Sequence, residues 1–444
     1  MKIQLSDHFT YSKLIKFSLP SIAMMIFMSI YYVVDGFFVS NFAGKTPFAA
    51  VNLIMPILMI LSTVGFMFGA GGTALVAKTY GEGKQDKANS YFSLLVYVAI
   101  ATGVVLAILG IAFMRPIAEL LGAEGELLEQ CVVYGRIVLS VLPFSILQFM
   151  FQGFFPAAEK PGLGLLVTLF AGITNIVLDA VLVPLLPQDL KLVGAAVATS
   201  LAQIVGGAIP LFYFIRPNAS ILRLGKTRMN GYVLVKACSN GASEFMNNIA
   251  MNLVGILYNV QLMNYAGEDG IAAYGVMMYV GMVFSAIFIG ISIGTAPVIS
   301  YHYGAGNRPE LKSLLRKNIA ITTVCGLAMV AAAELLAAPI SGIFVSYDPA
   351  LYEMTVRGFR IFALSFAFMG FGIFVSGFFT ALNDGITSAI IAFLRTMVFQ
   401  TAAILLLPLL WDLNGVWLSV VTAELMAFIL GIFFLTVKRK KYHY

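Results

Sequence analysis

Asn175 and Asp179 stand four residues apart in Thr174-Asn-Ile-Val-Leu-Asp-Ala-Val-Leu182, inside an apolar run from Leu163 to Leu186. That run is long enough to cross a bilayer. The spacing puts both side chains on one helix face, roughly 6 Å apart along the axis. A carboxylate at the centre of a membrane costs at least ~2.5 kcal/mol, so Asp179 must meet a partner or a wet cavity. Asp35, in Tyr-Tyr-Val-Val-Asp-Gly-Phe-Phe-Val, is a second acid in a similar setting. Two such acids brought together cannot both ionise comfortably. Either a proton is shared, or a cation sits between them.

The elements that must carry these acids follow from composition. The chain has 444 residues, of which 60% are hydrophobic and 11% charged. That balance defines an all-α polytopic membrane protein. The formal charge of +6 reflects basic residues at helix ends and implies no nucleic-acid partner. Cys131, Cys238 and Cys325 all lie in apolar segments, as packing residues do. Residues 1–10 are polar with no small-residue cleavage site, so the first span is expected to be retained.

Twelve transmembrane helices are predicted, with cores at 14–40, 48–77, 89–113, 127–152, 162–187, 193–215, 232–264, 271–301, 313–338, 352–380, 386–410 and 414–437. Lys and Arg set the orientation. The side holding both termini receives Lys13, Lys16, Lys78, Lys84, Lys87, Arg216, Arg223, Arg316, Lys317 and the Lys438–Lys441 cluster, among others. The opposite side receives Lys45, Arg115 and Lys191. Both termini are therefore expected in the cytoplasm.

The sequence repeats itself at an offset near 223. Ala43-Gly44 matches Ala266-Gly267, Tyr80-Gly81-Glu82-Gly83 matches Tyr303-Gly304-Ala305-Gly306, and Pro184-Leu185-Leu186 matches Pro408-Leu409-Leu410. Two six-helix lobes are expected, at 1–215 and 232–444, joined by a cytoplasmic linker at 216–231. A parallel repeat of this kind suits alternating access about a central cavity. Polar groups present in one copy only need a reason other than scaffold. Asp35 aligns with Tyr258, Asn175 with Phe399, Asp179 with Ala403, Tyr134 with Gly358 and Thr199 with Val420. Counting residues from the helix ends puts Asp35, Asp179, Tyr134 and Thr199 in one layer of the outer half of the N-terminal lobe, with Asn175 one turn deeper.

A second polar group belongs to the C-terminal lobe. Glu244 on helix 7 and Arg395 on helix 11 reach similar depth and are candidates to pair, with Glu424 on helix 12 as a third member. Met28, Tyr31 and Met278 are candidates for an adaptable apolar cavity surface; packing or lipid contact explains each of them singly as well. No Walker A motif and no Gly-x-Ser-x-Gly motif with a buried His is present, which argues against an ATP-driven pump or a hydrolase in this chain.

With these residues in place, the chain resembles the multidrug and toxic compound extrusion (MATE) family, DinF-like branch, and within it the multidrug exporters of the MepA type. The resemblance rests on Asp35 in Val-Asp-Gly-Phe-Phe-Val-Ser-Asn-Phe-Ala-Gly, on Asn175 to Asp179 followed by Gly194-Ala-Ala-Val-Ala-Thr199, and on Ser243-Glu244-Phe245 and Gly290 to Tyr301. It implies a V-shaped fold of two pseudo-symmetric lobes in the cytoplasmic membrane. It also implies export of cationic or amphipathic drugs and dyes in exchange for H⁺ or Na⁺, with no enzyme activity. In that branch the first-helix acid and the fifth-helix Asn and Asp, here Asp35, Asn175 and Asp179, form the ion site. Tyr134 and Thr199 fit the places of two further members. Asp35, Asn175, Asp179 and Thr199 would supply oxygens to Na⁺; H⁺ is the slightly preferred ion because a proton needs less strict geometry. No cofactor beyond that ion is expected, and the chain is expected to work as a monomer in the bilayer. The alternative is a lipid-linked sugar flippase of the same superfamily, which would want more helices and a more basic cavity.

Overall fold

In lipid every backbone N–H and C=O must be satisfied within the segment, and an apolar chain answers this by coiling into helices. The computed structural model describes residues 3–444, apart from the side chains at 32, 33, 36, 37, 40 and 41. Among the described residues the chain is helical almost throughout and contains no strand. Tyr11–Phe38 forms α1, Lys45–Gly81 α2 and Gln85–Leu120 α3. α4 is a bent pair, Gly125–Ser140 and Leu142–Ala157, meeting at 58°. Pro161–Leu185 forms α5 and Lys191–Ile215 α6. The run Gly231–Gly304 breaks at Gly267 (φ 61°, ψ −149°) into α7 (231–266) and α8 (268–304). Arg308–Val345 is α9, and α10 is again a bent pair, Pro349–Ala363 and Phe366–Ala381, at 44°. Gly385–Leu406 is α11 and Pro408–Tyr442, interrupted at Trp411 and Asp412, is α12. Nine of these helices are long and apolar enough to cross a membrane as they stand. The two bent pairs and the division at Gly267 bring the described spans to the twelve expected.

Several helices overrun their predicted cores; α2 covers Lys45–Gly81 rather than 48–77. Hydropathy marks only the stretch in hydrocarbon, while the helix continues into the polar interface. The bend in α4 falls beside Pro143, whose ring stands in the first turn of the second segment. Pro20, Pro56 and Pro297 lie inside continuous helices. The stretch 216–230 has no helix.

The repeat is visible in the backbone. Left-handed residues recur at matching places: Gly44 and Gly267, Gly83 and Gly306, Glu159 and Asn383. The bent fourth helix of one half answers the bent fourth helix of the other. Each half has its own large cluster of buried side chains, one centred on Phe92, Phe151, Phe154 and Phe214, the other on Phe359, Phe366 and Trp417.

The halves meet backbone to backbone through glycine, toward the end that carries the termini. A methyl group at Gly241 on α7 would collide with the carbonyl oxygen of Met67 on α2. One at Gly290 on α8 would come within 2.5 Å of the Ile22 Cα on α1. At the same end the N-terminal segment ties into both halves. Leu5 N–H donates to Glu159 Oε1 (2.9 Å), and Phe9 N–H donates to Glu310 Oε1 (2.9 Å).

Candidate functional site

The polar face of α5 is its buried face. Asn175 and Asp179 are 1% and 0% exposed, whereas Phe170, Ile173, Val177 and Val181 on the opposite side are exposed. In water this pattern would be inverted; in a bilayer the apolar side faces lipid and the polar side faces protein. α1 brings Asp35, also buried, against that face. A methyl at Gly172 would collide with the Phe27 ring, so this glycine lets α1 and α5 approach closely. A π-helical stretch, Val39–Ala43, follows Asp35; such irregular turns recur at functional sites.

The Asp35 carboxyl faces the side chains of Asp179, Asn175 and Thr199. Asp35 Oδ1, Asn175 Oδ1, both carboxyl oxygens of Asp179 and Thr199 Oγ1 are buried with no hydrogen-bond partner. A buried acceptor without a donor costs about 1–3 kcal/mol. Grouped around Asp35, these five oxygens form a set that a proton or a hard cation would satisfy. Four of the five expected ion-site residues, Asp35, Asn175, Tyr134 and Thr199, line one cavity, and Asp179 stands behind it. The cavity measures about 40 Å³, room for a few waters and far below the several hundred Å³ of a drug-sized pocket.

The same cavity is lined by polar residues that the sequence reading passed over: Ser62, Ser145, Gln148 and Gln203. Ser145 donates to Ser62 at 3.0 Å. Gln203 Oε1 is buried without a partner. Gly206 makes room for Gln148, since a methyl there would fall 2.5 Å from its Cδ. A lone glutamine in an apolar helix is the signal that would have found them, by the reasoning applied to Asp179.

At the repeat-related place the C-terminal half is neutral. Tyr258, which aligns with Asp35, donates to Gln400 Oε1 at 2.8 Å and stacks on Tyr274 at 5.3 Å. Deeper in that half, Arg395 sits in a π-helical stretch, Leu394–Phe399. It is paired bidentately with Glu424, both contacts at 2.9 Å. Of the two candidate partners for Arg395, Glu424 is the one it contacts, and that one carboxylate fills the guanidinium fork. Glu244 remains within electrostatic range of Arg395. Gly372 on α10 gives the pair its space, a methyl there lying 3.1 Å from Arg395 Cδ. The apolar candidates are dispersed. Tyr31 lines the Asp35 cavity, Met28 is buried with its sulfur 2.9 Å from Gln152 Nε2, and Met278 is exposed on α8.

This helical fold, with an acid pair buried in one half only, is that of a multi-pass membrane transporter. The MatE family model matches the chain twice, at residues 20–181 and 245–405, and the chain belongs to that family. It is 26% identical over 408 residues to the multidrug export protein MepA of Staphylococcus saprophyticus, covering 92% of this chain and 88% of the relative. To the protein of the same name from Staphylococcus aureus it is 25% identical over 415 residues, covering 93% and 91%. Among solved structures, MATE in complex with MaL6 superposes with a TM-score of 0.92 at 21% identity over 98% of both chains. An outward-facing multidrug resistance MATE family transporter of the MOP superfamily gives 0.92 at 22%, over 98% of this chain and 97% of the other. At these identities the superposition establishes the fold.

Proposed function

We propose that the chain is a secondary active exporter of cationic or amphipathic small molecules, driven by antiport with H⁺ or Na⁺. The reading rests on one observation above others: unpartnered oxygens of Asp35, Asn175, Asp179 and Thr199 converge in one half of a repeated scaffold, where the other half has a neutral Tyr258–Gln400 bond. Relatives named as multidrug export proteins, aligned over most of the chain, support the export direction and the substrate class.

In this reading the lobes are 1–215 and 232–444, with 216–231 as linker. The Lys and Arg distribution puts both termini on the cytoplasmic side of the cell membrane. The glycine seam then lies toward the cytoplasmic end, which suits a cycle in which the lobes part on the other side. The ion enters from outside and neutralises the Asp35–Asp179 pair. Of the two ions we favour H⁺, since the pair can share a proton without a full coordination shell. Na⁺ would use the oxygens of Asp35, Asn175, Asp179 and Thr199. The test is ethidium resistance and efflux in an efflux-deficient host. Expression of the chain should raise both, and the D35N/D179N double variant, made at equal membrane level, should lose both. Full efflux by that double variant would overturn the reading.

A further inference from the structure

The Asp35 cavity is too small for a drug, and its acids belong to the ion. A cationic cargo needs a carboxylate of its own. Three charged side chains share one layer of the C-terminal half: Glu244 on α7, Arg395 on α11 and Glu424 on α12. Arg395 is committed to Glu424 through both arms of its guanidinium, so one acid is left over. That acid is Glu244, which has no side-chain hydrogen-bond or ion-pair partner among the described residues.

Its surroundings reinforce the point. Asn247, one turn along the same face, carries an amide oxygen that is buried and unpartnered. Asn248 and Asn252 turn their amide groups away, donating to the carbonyl oxygens of Glu244 and Asn248 at 2.9 and 2.8 Å. Glu244 also lies three residues beyond Gly241, where α7 crosses α2 at the closed seam. It stands on the side of that crossing away from the termini, and it is only half-buried. A carboxyl group with no hydrogen-bond or ion-pair partner, just beyond the crossing of α7 and α2, is costly in a membrane unless it is used.

We infer that Glu244, with the Asn247 amide oxygen beside it, forms a second cation site that holds the positively charged group of the exported molecule, while the Glu424–Arg395 pair keeps the guanidinium from cancelling Glu244. This rests on the exporter reading and assigns the cargo to a site distinct from the Asp35 cavity. The pair is a positioning device: with Glu424 gone, Arg395 would turn its charge on Glu244.

The test is equilibrium binding of ethidium to the purified full chain in detergent, with thermal unfolding as the folding control. E244Q should weaken binding about 10-fold or more. E424Q should weaken it comparably although Glu244 is intact, whereas R395M/E424M, which removes the pair together, should bind within about 2-fold of wild type. A merely structural role for Glu424 predicts that binding follows the unfolding temperature across the variants, whereas positioning predicts weak binding by an E424Q chain that is still folded; loss of binding in a double variant as stable as wild type would overturn the positioning role. Wild-type binding with E244Q within about 2-fold of it would overturn the site and leave the exporter reading standing. A wild-type chain that binds neither ethidium nor other organic cations would sink both.

Discussion

Asp35 and Asp179 turn their carboxyls toward each other from α1 and α5, but only Asp35 borders the cavity; Asp179 is wholly buried behind it. In the proposed reading an ion arriving through the cavity would meet Asp35 first, and Asp179 would complete the site from the protein side. D35N and D179N should each reduce ion-driven ethidium transport at least about 10-fold. Both should leave the unfolding temperature unchanged or raised, because an amide relieves the repulsion of two buried acids. Transport rates in proteoliposomes and thermal unfolding in detergent check the two halves of this prediction.

The Arg395–Glu424 pair gives a different signature. Removing one member strands a buried charge and should destabilise the protein by about 3–5 kcal/mol, whereas replacing both with methionine should be close to neutral. Unfolding of R395M, E424M and the double variant, measured side by side, would show the non-additivity.

The seam between α2 and α7 has no room for a side chain at Gly241. G241A should force the halves apart at the end that carries the termini. Cysteines placed on that side of the seam should become more reactive to a water-soluble maleimide than in wild type, and export should fall several-fold.

Asp384, in the loop before α11, caps that helix and accepts from the Tyr442 hydroxyl at 2.7 Å. Burial alone would raise its pKa. The Tyr442 and Thr387 hydrogen bonds and Lys438 outweigh that and hold it below the usual carboxylate value. A depressed folded pKa means that the contribution to stability is full above the unfolded value near 3.8 and is lost as pH falls through the folded one. D384N should therefore destabilise by about 1–2 kcal/mol at neutral pH, and the gap from wild type should close only in strong acid. Unfolding temperatures across a pH series would check it.

Much of the fold was legible because a bilayer leaves the chain so few options: apolar length gives the helices. The repeat gave the matching turns, since Gly44 and Gly267 both stand where only a positive φ lets one helix end and the next begin. The acid layer was legible because a charge in hydrocarbon needs a reason. Ser62, Gln148 and Gln203 were missed because uncharged polar residues cost less in a helix and stand out less. The choice of Glu424 over Glu244 by Arg395 depends on how α11 and α12 are rotated against each other, and the π-helical stretch at Leu394–Phe399 shifts that rotation with no mark in the local sequence.

The central claim is that the Asp35–Asp179 site couples a cation gradient to export. The measurement is ethidium movement in proteoliposomes holding the purified chain, with a pH gradient or a Na⁺ gradient imposed one at a time. Movement driven by the pH gradient and absent from D35N/D179N vesicles is the result predicted, and movement under the Na⁺ gradient alone would transfer the same site to Na⁺. Gradient-driven movement that persists in the double variant would contradict the claim.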